Sequence, residues 1–350
     1  MDDVTKRLIG EKMLSFGRRI RFTTKDNASD LVREAIRDDP RIIYYLRGCK
    51  ITGIGQDYEI KAEYDNKDTP PSEIQTVLSA DECVDIMCRY VGGYKQKLIA
   101  VADKNAGLEK AVDRFNEKYA AFYPNLTAIG LCAYSIKSEY TVFEFTFGYR
   151  IGKVKHDMME KEVTDEVKRI AKMLFTPTMP DEAKIYLAHN YLCSTVRYVN
   201  NDKTRLDTSY TQSAYGALIK KECVCQGYAE AFKRLMDEAG IGCGVICGRC
   251  EGGGAAHAWN TVSLGMTGAS YHIDATWDSS EGRPGYEYFC RTDTFLEGKR
   301  TWNRRYTKPC RGGDDVLKKA RDYVRRNKTV LRSRGIGERV LDCAGASVWG

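Results

Sequence analysis

The stretch "AAHAWNTVSLGMTGASYHIDATWDSS", residues 255–280, sets two β-prone runs on either side of "GMTG". That pattern predicts an antiparallel hairpin. His257, Trp259 and Thr261 share one side of the first strand; His272, Asp274 and Thr276 share one side of the second. Directly opposed residues of an antiparallel pair have a constant index sum. An even-numbered loop therefore puts His257 and Asp274 on the same face. A carboxylate beside an imidazole there fixes its tautomer and stabilises the imidazolium. His272 competes for the role of base. It lies two residues from Asp274, about 6–7 Å along the strand. A neighbour across the ladder comes closer, so His257 is the candidate base, and His272 is a supporting or substrate-facing residue. Trp259 either walls a cleft or fills the core, the commoner fate of aromatics on strands.

Upstream lies "ECVCQGYAEAF", residues 222–232. Ala229, Phe232, Met236 and Ala239 recur at helical spacing, and Gly240 supplies a stop. Cys225 thus stands at or just before the first turn of a helix. Unpaired backbone N–H groups and the positive helix end favour an anion there. A thiol so placed loses its proton more easily and becomes a nucleophile. Its own backbone N–H is a ready oxyanion donor. Tyr215 and Gln226 are candidates for a second donor, by nearness in sequence. Gly227 leaves room for a substrate chain to approach. Cys223 lies ahead of the helix, where it could pair reversibly with Cys225 under oxidation. His189 shares a helical face with Ile185, Ala188 and Leu192 and reads as a core histidine, and His156, in a charged run, as a surface one.

The blocks "SAYGAL", "VCQGYAEAF", "LMDEAGI", "HAWNTV" and "YHIDATWD" together resemble the transglutaminase-like superfamily of papain-fold cysteine enzymes, and more narrowly its bacterial transglutaminase-domain proteins. The match runs roughly from Asp181 to Asp278. It maps the family's cysteine, histidine and aspartate onto Cys225, His257 and Asp274. It implies an α+β fold in which the helix carrying the thiol packs on an antiparallel sheet carrying the other two. It also implies acyl transfer through a thioester. "DDPRIIYYL" near the N-terminus is similar to the lead domains of such bacterial proteins.

The expected organisation is an N-terminal α+β domain over residues 1–155, a catalytic domain over 156–310, and a basic amphipathic helix and tail over 311–350. Within the first domain, helix, strand and strand occur twice, from "DNASDLVREAIRDDP" and from "GLEKAVDRFNEKYAAF", as a degenerate repeat would. "RIIYYLRGCKI" reads as a strand there. In the last segment Val316, Ala320, Tyr323, Val324, Asn327 and Leu331 line one side of a helix. Residues 297–342 hold 15 Lys or Arg against 6 Asp or Glu, an excess larger than the +7 of the whole chain. The rest is slightly acidic, so basicity says little about the catalytic part. Docking is the expected use of the basic helix, with an acidic partner as the alternative; nucleic acid is not expected.

With 43% hydrophobic residues the 350-residue chain can bury a sizeable core. No run of about 18 apolar residues suggests a membrane span. The charged start, "MDDVTKRLIGEKML", lacks a signal-peptide apolar region, so a cytoplasmic location is expected. The odd count of 13 cysteines, scattered from Cys49 to Cys343, reads as reduced thiols.

These residues point to a cysteine acyl-transfer enzyme acting on an amide of a peptide or protein, with no cofactor and no required metal. Water as acceptor makes it a peptidase or amidase; a lysine amine makes it a transglutaminase. Two other classes stand beside this. One is a peptide-binding module that keeps the fold without turnover. The other is an iron–sulfur protein, because "CGVICGRC" spaces Cys243, Cys247 and Cys250 as cluster ligands can be spaced. "GIGCGVICGR" also fits a strand leading to His257.

Overall fold

The computed structural model describes residues 2–341 except 120–122, 124, 136–138, 200–209, 251–253, 266–267, 281–282 and 314. Its contacts fall into two compact units, Met1–Tyr119 with Leu126–Tyr149, and Ala120–Asn125 with Arg150–Gly350.

In the first unit, Asn27 starts the helix Ala28–Asp38 by accepting the Ser29 and Asp30 N–H groups through its side chain. The helix ends before Pro40. The strand expected from "RIIYYLRGCKI" begins only at Leu46, because Ile42–Tyr45 form a helical turn whose four side chains are all buried. A short apolar run hidden on every side fits helix or strand, and here the Ile43 N–H bonds the Pro40 carbonyl at 3.0 Å and closes a turn. Helix, strand and strand do occur twice: Ala28–Asp38, Leu46–Ile54 and Asp57–Tyr64, then Ala111–Tyr119, Leu126–Tyr134 and Tyr140–Tyr149. The two hairpins belong to different sheets. The first joins Arg19–Thr23; the second joins Lys97–Asp103 and, parallel to that strand, Ile74–Thr76.

In the second unit, a four-stranded antiparallel sheet runs in the order Ser270–Ile273, Ala256–Ser263, Gly242–Cys250, Arg300–Trp302. The helix Cys225–Glu238 packs on its two central strands. Phe232, Leu235 and Met236 are fully buried beneath it, each worth about 1.5–3 kcal/mol. The helices Lys153–Leu174 and Asp181–Thr195 complete this core. The C-terminal basic segment belongs to the same core through Val316, Ala320, Val324 and Leu331. The single expected helix is broken at Asn327 into Val316–Arg326 and Lys328–Ser333, and a further short helix, Glu338–Leu341, follows. No helix among the described residues is long and apolar enough to cross a membrane.

Candidate active site

Cys225 is the first residue of its helix, preceded by Val224 in extended backbone. Its sulfur is half-buried and accepts hydrogen bonds from the His257 side chain and from the backbone N–H groups of Ala258 and Gln226. Burial, the largest influence, pushes the thiol up; the His257 contact, then the two N–H groups, outweigh it and hold its pKa below the ordinary value. Cys223 is fully buried, and burial pushes its thiol well up. No disulfide joins any of the twelve cysteines among the described residues.

The hairpin register pairs Asn260 with Ile273 and Thr261 with His272. Continued past the strand end, it sets Asp274 opposite Trp259 and one diagonal step from His257, on the same face. His257 Nε2 lies 2.7 Å from Asp274 Oδ2, with both side chains nearly excluded from water. That leaves the other ring nitrogen, Nδ1, for the sulfur. Burial disfavours charge on His257, but the bonds to Asp274 and Cys225 prevail and raise its pKa. Asp274 Oδ1 accepts the backbone N–H groups of Thr276 and Trp277, each at 3.1 Å, so the carboxylate is held on both oxygens. The alternate face of the strand is tied to the cysteine helix. Buried Asn260 donates to the Ala229 carbonyl at 2.9 Å, which fixes helix against strand and sulfur against imidazole.

Other expected residues lie elsewhere. The Tyr215 hydroxyl donates to Glu162 at 3.4 Å rather than to the sulfur. Gln226 presents its backbone N–H to the sulfur, and its side chain meets Cys247 at 3.8 Å. Gly227 does not border an open cleft. A Cβ there would come within 2.5 Å of Cys223 Cβ and 2.9 Å of the Ser213 carbonyl, so the glycine serves close packing. Trp259 is 1% exposed and stacks behind His257 at 6.0 Å, so it fills the core. The exposed aromatic beside the imidazole is Trp277, 5.8 Å from His257 and 50% exposed. His156 is half-buried, its Nδ1 3.0 Å from Asn125 Nδ2. His189 is fully buried, 3.1 Å from Asp278 Oδ2 and 3.7 Å from Cys193 Sγ.

His272 sits behind Trp259. It accepts the indole N–H at Nδ1 (3.1 Å) and donates from Nε2 to Asp293 (2.8 Å). Burial, working against Asp293, keeps its pKa below the ordinary value. With Cys310, these residues bring three possible ligand atoms within 4.8 Å of one another. The tryptophan bond leaves the ring proton on Nε2, the atom a metal would need, so the group is better read as a hydrogen-bond relay than as a metal centre. Cys243, Cys247 and Cys250 all lie on the strand Gly242–Cys250. Cys243 and Cys247 are about 13 Å apart along it and Cys250 faces the opposite side, so the three do not converge on one cluster.

Arg300 had no signal in the sequence, standing among other basic residues of the C-terminal third. It is 4% exposed, and its Nη2 lies 2.7 Å from Asp274 Oδ2. Its guanidinium is enclosed by the rings of Trp277, Tyr288 and Trp259 at 4.4, 4.9 and 5.2 Å.

Residues 168–277 match the family model of the transglutaminase-like superfamily. No curated protein matches the chain. One solved structure, described as a TGase, aligns at 12% identity and a TM-score of 0.29, over 53% of this chain and 52% of that one. This chain thus spans about half of that structure's length. Another, described as a "Putative Cysteine Protease" from Cytophaga hutchinsonii, aligns at 13% identity and a TM-score of 0.29, over 52% of this chain and 70% of that one. The stretch from 168 to 277, which holds the half-buried thiol and the buried imidazole–carboxylate pair, is a domain of the transglutaminase-like superfamily.

Proposed function

We propose that this protein is a cysteine acyl-transfer enzyme acting on amides of peptides or proteins. The observation that carries the reading is the unbroken series of contacts from a half-buried thiol at a helix start through His257 to Asp274. The Cys225 thiolate attacks the amide carbonyl carbon, and the carbonyl oxygen takes up the negative charge. The Cys225 backbone N–H, at the helix start, stabilises that oxyanion. The imidazolium of His257 gives its proton to the departing amine as the C–N bond breaks, leaving a thioester on Cys225. His257 then accepts a proton from water or from an amine as either attacks the thioester, and the thiol is regenerated. Asp274 holds the ring in the orientation that presents Nδ1 to the sulfur. Hydrolysis is the favoured outcome, since water requires no second binding site.

Mass spectrometry of a peptide library incubated with the protein and with its Cys225→Ala variant tests this. A gain of about 1 Da marks deamidation, a loss of about 17 Da crosslinking or cyclisation, and new termini proteolysis, each being a fate of an acyl-enzyme. Identical libraries after both incubations would overturn the reading and favour a peptide-binding module.

A further inference from the structure

One oxygen of Asp274 meets two basic side chains. Oδ2 lies 2.7 Å from His257 Nε2 and 2.7 Å from Arg300 Nη2. The histidine contact is a directed hydrogen bond. The arginine contact falls outside hydrogen-bond angles, and Nη2 has no such partner among the described residues. What Arg300 delivers to Asp274 is therefore charge rather than direction. Its place is built for a cation: three aromatic rings enclose it, and Nη1 points at Cys250 Sγ at 3.8 Å. Water has little access to screen it.

We propose that Arg300 is a positioning residue that keeps the His257 imidazolium a ready proton donor, by competing for the carboxylate oxygen they share. The proposal rests on the acyl-transfer reading above. A carboxylate facing imidazolium alone would grip that charge tightly and make the ring a reluctant acid. With Arg300 in place, Asp274 already has a counter-ion, so giving up the proton leaves no unpaired buried anion. Among the described residues, the groups acting most strongly on the ring are Asp274 from the turn, Cys225 from the helix and Arg300 from the last strand, with Cys250 and Tyr288 against the guanidinium. Among these, Arg300 is the fixed positive charge acting to lower the pKa of His257.

The test is an NMR titration of the histidine Cε1–H signals; the chain has only four histidines. It is run first in the Cys225→Ala protein, where no turnover is needed. Adding Arg300→Met should raise the His257 midpoint by about one pH unit, from loss of a close like charge. Arg300→Gln, which keeps a donor but no charge, should give the same rise and serves if the Met variant does not fold. Arg300→Lys, which restores the charge, should bring the midpoint back towards the parent's. A role in packing alone would lower the melting temperature and leave the midpoint where it was; that result overturns the proposal. With Cys225 intact, the alkaline limb of its iodoacetamide labelling should move up by a similar amount in Arg300→Met. If Cys225 shows no selective labelling in the parent protein, the acyl-transfer reading fails, and the titration still reports on Arg300.

Discussion

The backbone N–H of Asp278 donates to the Asp274 carbonyl at 3.2 Å, so a single turn holds two buried carboxylates. Each faces a different imidazole: Asp274 meets His257 at 2.7 Å, and Asp278 meets His189 at 3.1 Å. The second pair faces no solvent. Asp278 also accepts the Tyr288 N–H at 2.9 Å, and Cys193 Sγ donates to the Ala275 carbonyl at 3.4 Å. These contacts brace the turn that presents Asp274.

Asp278→Asn is expected to cost about 3–5 kcal/mol, the usual penalty for breaking a buried ion pair from one side. Urea denaturation measures it. The cost depends on pH in a defined sense. Burial disfavours charge on His189, but Cys193 and Asp278 hold its pKa well above the ordinary 6.5. A raised folded value means the pair's contribution is complete below about 6.5 and is lost as pH rises through the folded value. The gap between parent and variant should therefore narrow on the alkaline side. A gap that widens there would contradict the assignment.

Iodoacetamide near pH 7 should modify Cys225 first. Its thiol is held low, whereas desolvation by the surrounding protein pushes Cys247 to about 11 and Cys310 to about 12. Labelling of Cys225 should be at least about tenfold faster than that of Cys247. His257→Ala should remove most of that advantage, because the imidazole is the largest influence lowering the thiol. Peptide mapping after short exposures checks both statements.

Asp274→Asn, which leaves the buried Arg300 guanidinium without its carboxylate, should lower stability and reduce turnover on the order of 10²–10⁴-fold. Burial opposes charge on His257 and Asp274 supports it, so removing the carboxylate charge lowers the His257 pKa. The alkaline limb of any pH profile should move down, opposite in direction to the effect expected of Arg300→Met. A pH series on the two variants separates them.

Gly248→Ala should disturb the sheet under the site. Gly248 lies across the ladder from His257 on one side and from Trp302 on the other. A Cβ there would stand 2.2 Å from the Thr301 carbonyl and 2.6 Å from the Trp259 ring. Overpacking of this kind costs about 1–3 kcal/mol or more, read as a lower melting temperature. Gly242→Ala, where the nearest atom is an ordinary 3.6 Å away, is the control.

Much of this unit was legible in the residues themselves. Alternation on two runs placed His257 and Asp274 on one face, and a helical period after Cys225 placed the thiol at a helix start. Both signals are local, and local periodicity survives folding when one face must be buried. Arg300 was not legible. Its meaning comes from a strand pairing in which Arg300 lies across from Cys250, fifty positions away in the chain, and from three aromatic rings brought together by the fold. Gly227 misled for a related reason. A glycine beside a candidate nucleophile suggests room, whereas here the space is filled by Cys223 and Ser213. "IIYY" carried no period at all, and with all four side chains buried only the tertiary setting chose helix over strand.

The strand Ala256–Ser263 is paired with Gly242–Cys250 along its whole length and with Ser270–Ile273 from Asn260 onward, and from His257 to Asn260 its side chains are buried on both faces. Such a segment meets water only when the whole domain opens, so its amide protons should be among the last to exchange with deuterium. The imidazole is mounted on this slow-exchanging spine and the sulfur on the first turn of a helix, where fraying begins. Thermal wear should therefore reach the thiol's side of the pair first.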